Sequence, residues 1–192
     1  MGIRLNGATS GYVELVAPAV AGTTQLVLPT DSIQPGMVLV AKADFSTVSG
    51  IQINNCFTSL YDQYLLTFSG TATNDISFQI RLRAGGVDST TGYKWQRLFA
   101  NNTTVTASQD LAATVGNIGG AISGANTACS ARICDPARAV ATTIIGDGAD
   151  FRPRLDWYLT SHTVATAYDG FNLYPNAGTI SGSVYVYGYR KA

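Results

Sequence analysis

The sequence predicts an all-β protein, a β-sandwich or jelly roll with an extended N-terminal arm, on three observations. The first is the choice of charged residues: one glutamate, Glu14, and three lysines, Lys42, Lys94 and Lys191, in 192 residues. Surface helices draw heavily on Glu and Lys, so this chain has little material for them. The second is what replaces them: abundant Thr, Ser and Asn, with 20 Gly. Threonine is β-branched and suits a half-exposed pleated surface, while Gly and Asn reach the positive-φ positions of tight turns. The third is period-two alternation. In Ile76-Ser77-Phe78-Gln79-Ile80-Arg81-Leu82-Arg83 every second residue is apolar, which turns one face inward and the other to water.

The same patterns place the elements in order. Tyr12, Val13 and Leu15 mark a short strand at 12–16, and Leu26, Val27 and Leu28 another at 25–28. Apolar or β-branched runs mark 37–41, 51–54 and 63–69, and the alternating octet marks 76–83. Aromatics at Tyr93, Trp95 and Phe99 mark 93–99. Further strands are expected at 140–145, 154–161, 170–174 and 180–189. Turn signals separate them: Asn74-Asp75, Gly85-Gly86, Asn101-Asn102, Gly119-Gly120, Gly146-Asp147-Gly148 and Asn176-Ala177-Gly178. A single helical turn is expected around 109–115. The first 35 residues hold three of the six prolines, Pro18, Pro29 and Pro35. They read as the arm, giving an N-terminal anchoring segment over 1–48 and a knob domain over 49–192.

Composition narrows function. Twelve basic and twelve acidic residues give a formal net charge of zero, whereas nucleic-acid binders carry a basic excess. With 46% hydrophobic residues the chain lies outside the disordered range. It shows no apolar run of the roughly 18 residues that a membrane helix needs, and no basic-then-apolar leader, so neither membrane insertion nor a signal peptide is expected.

The candidates for chemistry are few. His162 is the single histidine, and no Gly-x-Ser-x-Gly elbow presents a serine to it. With one glutamate, a glycosidase pair would have to be aspartates such as Asp156 and Asp169. Asp147 and Asp150 offer oxygens to a cation, without the alternating carboxylates of a calcium loop. Cys56, Cys129 and Cys134 are too few for a disulfide framework. Cys129 and Cys134 fall in a Ser/Arg-flanked segment expected to be a loop, as free thiols or as a pair. No catalytic residue, metal ligand or cofactor is assigned. Tyrosine is the richer signal: of ten, Tyr185, Tyr187 and Tyr189 share one face of the last strand. Tyrosine favours interfaces because its ring is apolar and its tip polar, so this face is the expected trimer or partner surface.

The opening carries a resemblance. Leu5-Asn6-Gly7-Ala8-Thr9-Ser10-Gly11, then Val13, Leu15, Ala17-Pro18-Ala19-Val20-Ala21-Gly22-Thr23 and Leu26-Val27-Leu28-Pro29, resembles a segment recurrent in fibres and decorating proteins of bacteriophages of marine and cyanobacterial hosts. More loosely, Phe57-Thr58-Ser59-Leu60-Tyr61-Asp62-Gln63-Tyr64, Gln79–Asp88 with Tyr93, and Ala167-Tyr168-Asp169-Gly170-Phe171 with Gly178–Gly182 and Val186–Gly188 are similar to β-sandwich tip domains of phages. The resemblance implies a non-enzymatic virion surface protein without cofactor. It implies a homotrimeric capsid decoration, cement or short head-fibre protein, anchored to capsid or tail proteins through Val13, Leu15, Leu26 and Leu28. The alternative it implies is a receptor-binding tail-fibre tip that contacts host polysaccharide. Surface hydroxyls and amides suit such contacts, because they cost less to desolvate than ions.

Overall fold

The computed structural model describes residues 3–6, 12–15, 36–150 and 154–191, with backbone alone at 3–6, 12–15 and 149–150. The chain divides into two compact units, Met1–Gln34 and Pro35–Ala192. In the first, β1 (Ile3–Asn6) and β2 (Tyr12–Leu15) form an antiparallel hairpin that pairs Ile3 with Leu15 and Leu5 with Val13. The expected strand at 25–28 lies outside the described residues.

The second unit is an all-β sandwich. Its strands are β3 (Met37–Val48), β4 (Ile51–Ile53), β5 (Tyr61–Ala72), β6 (Ile76–Ala84), β7 (Val87–Asp88), β8 (Tyr93–Asn101), β9 (Thr104–Ala113), β10 (Gly116–Ala121), β11 (Thr127–Cys134), β12 (Thr142–Asp150), β13 (Leu155–His162), β14 (Gly170–Pro175) and β15 (Ile180–Arg190). One sheet has eight strands in the order β3-β15-β5-β11-β12-β13-β8-β9. The other has the order β10-β6-β14-β4, with β7 beside β6. Every pairing between these strands is antiparallel.

Alternation builds the core. Phe78, Ile80 and Leu82 of β6, with Phe171 and Leu173 of β14, point inward from the small sheet. They meet Tyr64, Leu66 and Phe68 of β5, Ile133 of β11, and Val184 and Val186 of β15. The Phe68 and Phe78 rings lie 4.6 Å apart across the sheets, a tilted packing that such rings favour. Between β6 and β7, Gly85 and Gly86 both take positive φ, 56° and 81°, as a two-residue type I′ hairpin turn requires.

Several sequence expectations are corrected here. Met37–Val48, assigned to the N-terminal segment, is an edge strand of the large sheet beside β15. The helical turn expected at 109–115 is instead the end of β9, through Ala113, and the bend at 114–115. Gly119-Gly120 lies inside β10, and Gly146-Asp147-Gly148 lies inside β12. The segment holding Cys129 and Cys134 is β11 rather than a loop.

These glycines share one physical reason. All six residues of β10 are buried, and its backbone lies directly against β12. A Cβ on Gly146 would sit 2.3 Å from the Ile118 carbonyl oxygen, and one on Gly148 would sit 2.7 Å from the Gly120 nitrogen. A Cβ on Gly119 would meet Cys129 Sγ at 2.7 Å. Sheets normally stack about 10 Å apart with side chains between them; here backbone meets backbone. Gly146→Ala is therefore expected to destabilise the protein by about 1–3 kcal/mol through forced separation of the sheets. Gly36→Ala, where nothing lies within 4 Å of an added Cβ, should stay within about 0.5 kcal/mol of the parent. Urea unfolding of the two variants makes the comparison.

Candidate functional site

His162 is fully buried at the end of β13. The Val164 N–H donates to its Nδ1 at 3.1 Å, so Nδ1 is the unprotonated nitrogen and the proton of the neutral ring sits on Nε2. Nε2 lies 2.8 Å from Ser89 Oγ and 3.3 Å from the Tyr168 hydroxyl. The imidazole thus donates toward the serine. A serine nucleophile requires the opposite, a lone pair on the nitrogen that faces the hydroxyl and an acceptor on the other nitrogen. Burial also holds His162 below the ordinary imidazole value of 6.5. The arrangement ties the end of β13 to the β7–β8 connection and is not wired for proton abstraction.

Of the aspartates, Asp156 and Asp147 accept side-chain hydrogen bonds, while Asp169 keeps its buried Oδ1 without a hydrogen-bond partner among the described residues. Asp156 is buried and accepts from Arg97 through both oxygens, Nε to Oδ1 at 2.6 Å and Nη2 to Oδ2 at 2.8 Å. Asp169 Oδ2 accepts the Gly85 N–H at 2.9 Å. Asp147 accepts from Ser130 Oγ at 2.6 Å on the outer face of the large sheet; the Asp150 side chain lies outside the described residues. Cys129 points inward and Cys134 outward on one strand, five residues apart. That is about 17 Å of extended chain, so the two cannot bond, and all three thiols are free. Burial pushes the Cys56 thiol up to about 12 and raises Cys129 further, which leaves both poor nucleophiles. Among the described residues no three His, Cys, Asp or Glu side chains gather as a metal site.

The unusual feature is the outer face of the large sheet. β13 is built inside out. Its inward residues are Asp156, Tyr158, Thr160 and His162, and its outward residues are Leu155, Trp157 and Leu159, each about half exposed. The inward polar groups are satisfied: Asp156 by Arg97, His162 as above, and Thr160 Oγ1 by both backbone groups of Asn117 on β10, at 3.0 and 3.2 Å. The outward apolar residues continue across their neighbours. Leu159 pairs with Ile145, Trp157 pairs with Leu98, and Leu155 pairs with Ala100, which pairs with Val105. Val105 is 70% exposed. Gln96, Leu98, Ile145, Trp157 and Leu159 line a shallow depression in this face.

The patch runs onto an open edge. Every residue of β9 except Ala113 is exposed. The strand has one charge, Asp110, and no Lys, Arg or Pro, the residues that natural edges use against unwanted pairing. The opposite edge, β3, is guarded by the Lys42–Asp44 ion pair at 2.9 Å and by two register shifts against β15.

The tyrosines expected at an interface do share the outer face of β15. Tyr185 and Tyr187 stack at 6.4 Å, Lys42 covers Tyr185 at 5.5 Å, and both rings are half-buried. Tyr189 is more exposed, beside Met37 and Gln63. Of the expected anchors, Val13 and Leu15 lie on β2, and Leu26 and Leu28 lie outside the described residues. The sequence reading missed Leu98, Val105, Leu155, Trp157 and Leu159 as a surface. The alternation in Leu155-Asp156-Trp157-Tyr158-Leu159-Thr160 marks the two faces of the strand without saying which one is buried.

No protein-family model, curated protein or solved structure matches the chain.

The buried imidazole generates a pH prediction. Its pKa is lower folded than unfolded, so below about 6.5 the unfolded chain binds the proton that the folded chain refuses. Stability should fall as pH drops through that value. In His162→Asn, whose amide oxygen replaces Nδ1 as acceptor for Val164, this part of the pH dependence should disappear. Urea midpoints between pH 7.5 and pH 5 compare the slopes; equal slopes contradict the assignment.

Proposed function

We propose that the chain is a non-enzymatic structural protein of a bacteriophage virion. In this reading it is displayed on the particle surface as a homotrimeric capsid decoration, cement or short head-fibre protein. Its N-terminal arm, through Val13, Leu15, Leu26 and Leu28, holds it to a capsid or tail protein, and its sandwich meets copies of itself. The observation that carries the reading is the inside-out strand β13. A solvated strand gains nothing from turning Trp157 and Leu159 outward while burying Asp156 and His162. A strand that docks gains the burial of that face. The unguarded β9 edge beside it supports the same reading, since edge pairing supplies backbone hydrogen bonds with little side-chain demand. Tyr185, Tyr187 and Tyr189 give a second contact surface. Zero net charge removes self-repulsion between packed copies, and the resemblance of the opening segment supplies the virion context.

The test is association and occupancy. The purified protein should sediment as a trimer, and Trp157→Ser with Leu159→Ser should shift it to monomer with its β-sheet circular dichroism unchanged. Loss of one buried aromatic anchor at an interface commonly costs about 2 kcal/mol or more. Removal of residues 2–30 should abolish incorporation into particles while leaving the sandwich folded. A parent that stays monomeric at high concentration, or particles that retain the truncated protein, would count against the reading.

A further inference from the structure

The small sheet presents a different surface. Its outer face carries a row of polar side chains at one register: Gln52 of β4 opposite Asn172 of β14, and Asn172 opposite Arg81 of β6. Together with Ser49, Gly50 and Tyr174 they line an open depression.

Two of these groups are held in place from behind. The Arg81 Nε donates to the Thr114 carbonyl at 3.2 Å, and its guanidinium lies over the Tyr174 ring at 5.5 Å. Both terminal nitrogens remain, and among the described residues Arg81 has no carboxylate partner. The Asn172 Nδ2 donates to Asp88 Oδ2 at 2.9 Å. Asp88 is neutralised by Arg83, which is itself fixed by Asn54 at 3.0 Å. This chain sets the amide plane and leaves Asn172 Oδ1 as an acceptor at the depression. Gly50 keeps the space clear: a Cβ there would lie 3.5 Å from Asn172 Oδ1 and 2.9 Å from Tyr174 Cβ. The Tyr174 hydroxyl is buried without a hydrogen-bond partner, an unusual state for a group that costs free energy when left unpaired.

We propose that this depression is a binding site for an acidic saccharide unit. A guanidinium with two free terminal nitrogens matches a carboxylate bidentately. The neighbouring amides of Gln52 and Asn172 and the Ser49 hydroxyl match groups that both donate and accept, as sugar hydroxyls do. Because Arg81 and Asn172 are already immobilised, the site loses little side-chain freedom on binding. The site is on the other sheet from the docking face and stands independently of the assembly reading.

The test is a titration of the full chain with D-glucuronate, D-glucose and acetate, followed by the side-chain amide signals of Gln52 and Asn172 and the Arg81 Nε–H. Glucuronate should shift all three, with glucose and acetate binding at least about tenfold more weakly. Arg81→Gln should weaken glucuronate by about tenfold or more, toward the glucose value. Gln52→Ala, at an exposed edge position that leaves the core untouched, should weaken it by about threefold. Acetate binding as tightly as glucuronate would identify a bare carboxylate ligand, such as a peptide terminus, and overturn the saccharide assignment. Unshifted amides, or unchanged glucuronate binding in both variants, would overturn the site. Trimer formation should be unaffected by either variant.

Discussion

The sandwich depends on one contact, the backbone of β10 lying directly on the backbone of β12. Glycines on both sides make it possible: Gly119 and Gly120 from one sheet, Gly146 and Gly148 from the other. The contact draws the sheets together at one end, while the other end keeps the ordinary separation filled by Tyr64, Phe68, Phe78 and Phe171. The molecule thus has two regimes of packing within a single pair of sheets. One is held by large interlocking side chains and the other by close backbone approach and hydrogen bonds.

The narrow end explains the chemistry around β13. Beside the glycine strand the inward residues of β13 are Asp156, Tyr158 and Thr160, and the Cβ position of Gly120 lies only 2.5 Å from Asp156 Oδ2. Short polar groups fit there and are paired, Asp156 with Arg97 and Thr160 with the Asn117 backbone. Such pairing removes the penalty that a buried polar group otherwise carries. With polar residues accommodated inside, the alternation of the strand sends Leu155, Trp157 and Leu159 outward. The exposed apolar face and the buried ion pair are therefore two sides of one constraint. At the end of the same strand, His162 is held by Ser89, Val164 and Tyr168.

How much of this was legible in the sequence follows from the same physics. Strands with apolar and polar residues in alternation, such as Ile76–Ala84, stood out, as did the Ile180, Val184 and Val186 series of Ile180–Arg190 and the Gly85-Gly86 turn. β10 and the middle of β12 did not, because a strand that packs by its backbone carries glycines, and glycine reads as punctuation. β9 escaped because neither of its faces is buried, so Thr, Ala, Ser and Gln leave no hydrophobic period. The outward apolar face of β13 escaped for a subtler reason. A period of two tells which residues share a face, but it does not tell which face meets the core. Only the neighbours Arg97 and Asn117, distant in sequence, decide that. The polar row on the small sheet needed the pairing of β4, β14 and β6, which no local pattern contains.

The position of β15 has a consequence for biosynthesis. This last strand lies between β3 and β5, the first two strands of the large sheet. Until its residues have left the ribosome, β3 has no place in the sheet and one edge of β5 stays open. Such non-local closure is slow, and it exposes unpaired strands while the chain waits. The sandwich can therefore be completed only after synthesis of the chain through Arg190. The ladder of β15 is the step that closes the large sheet, joining β3 to β5.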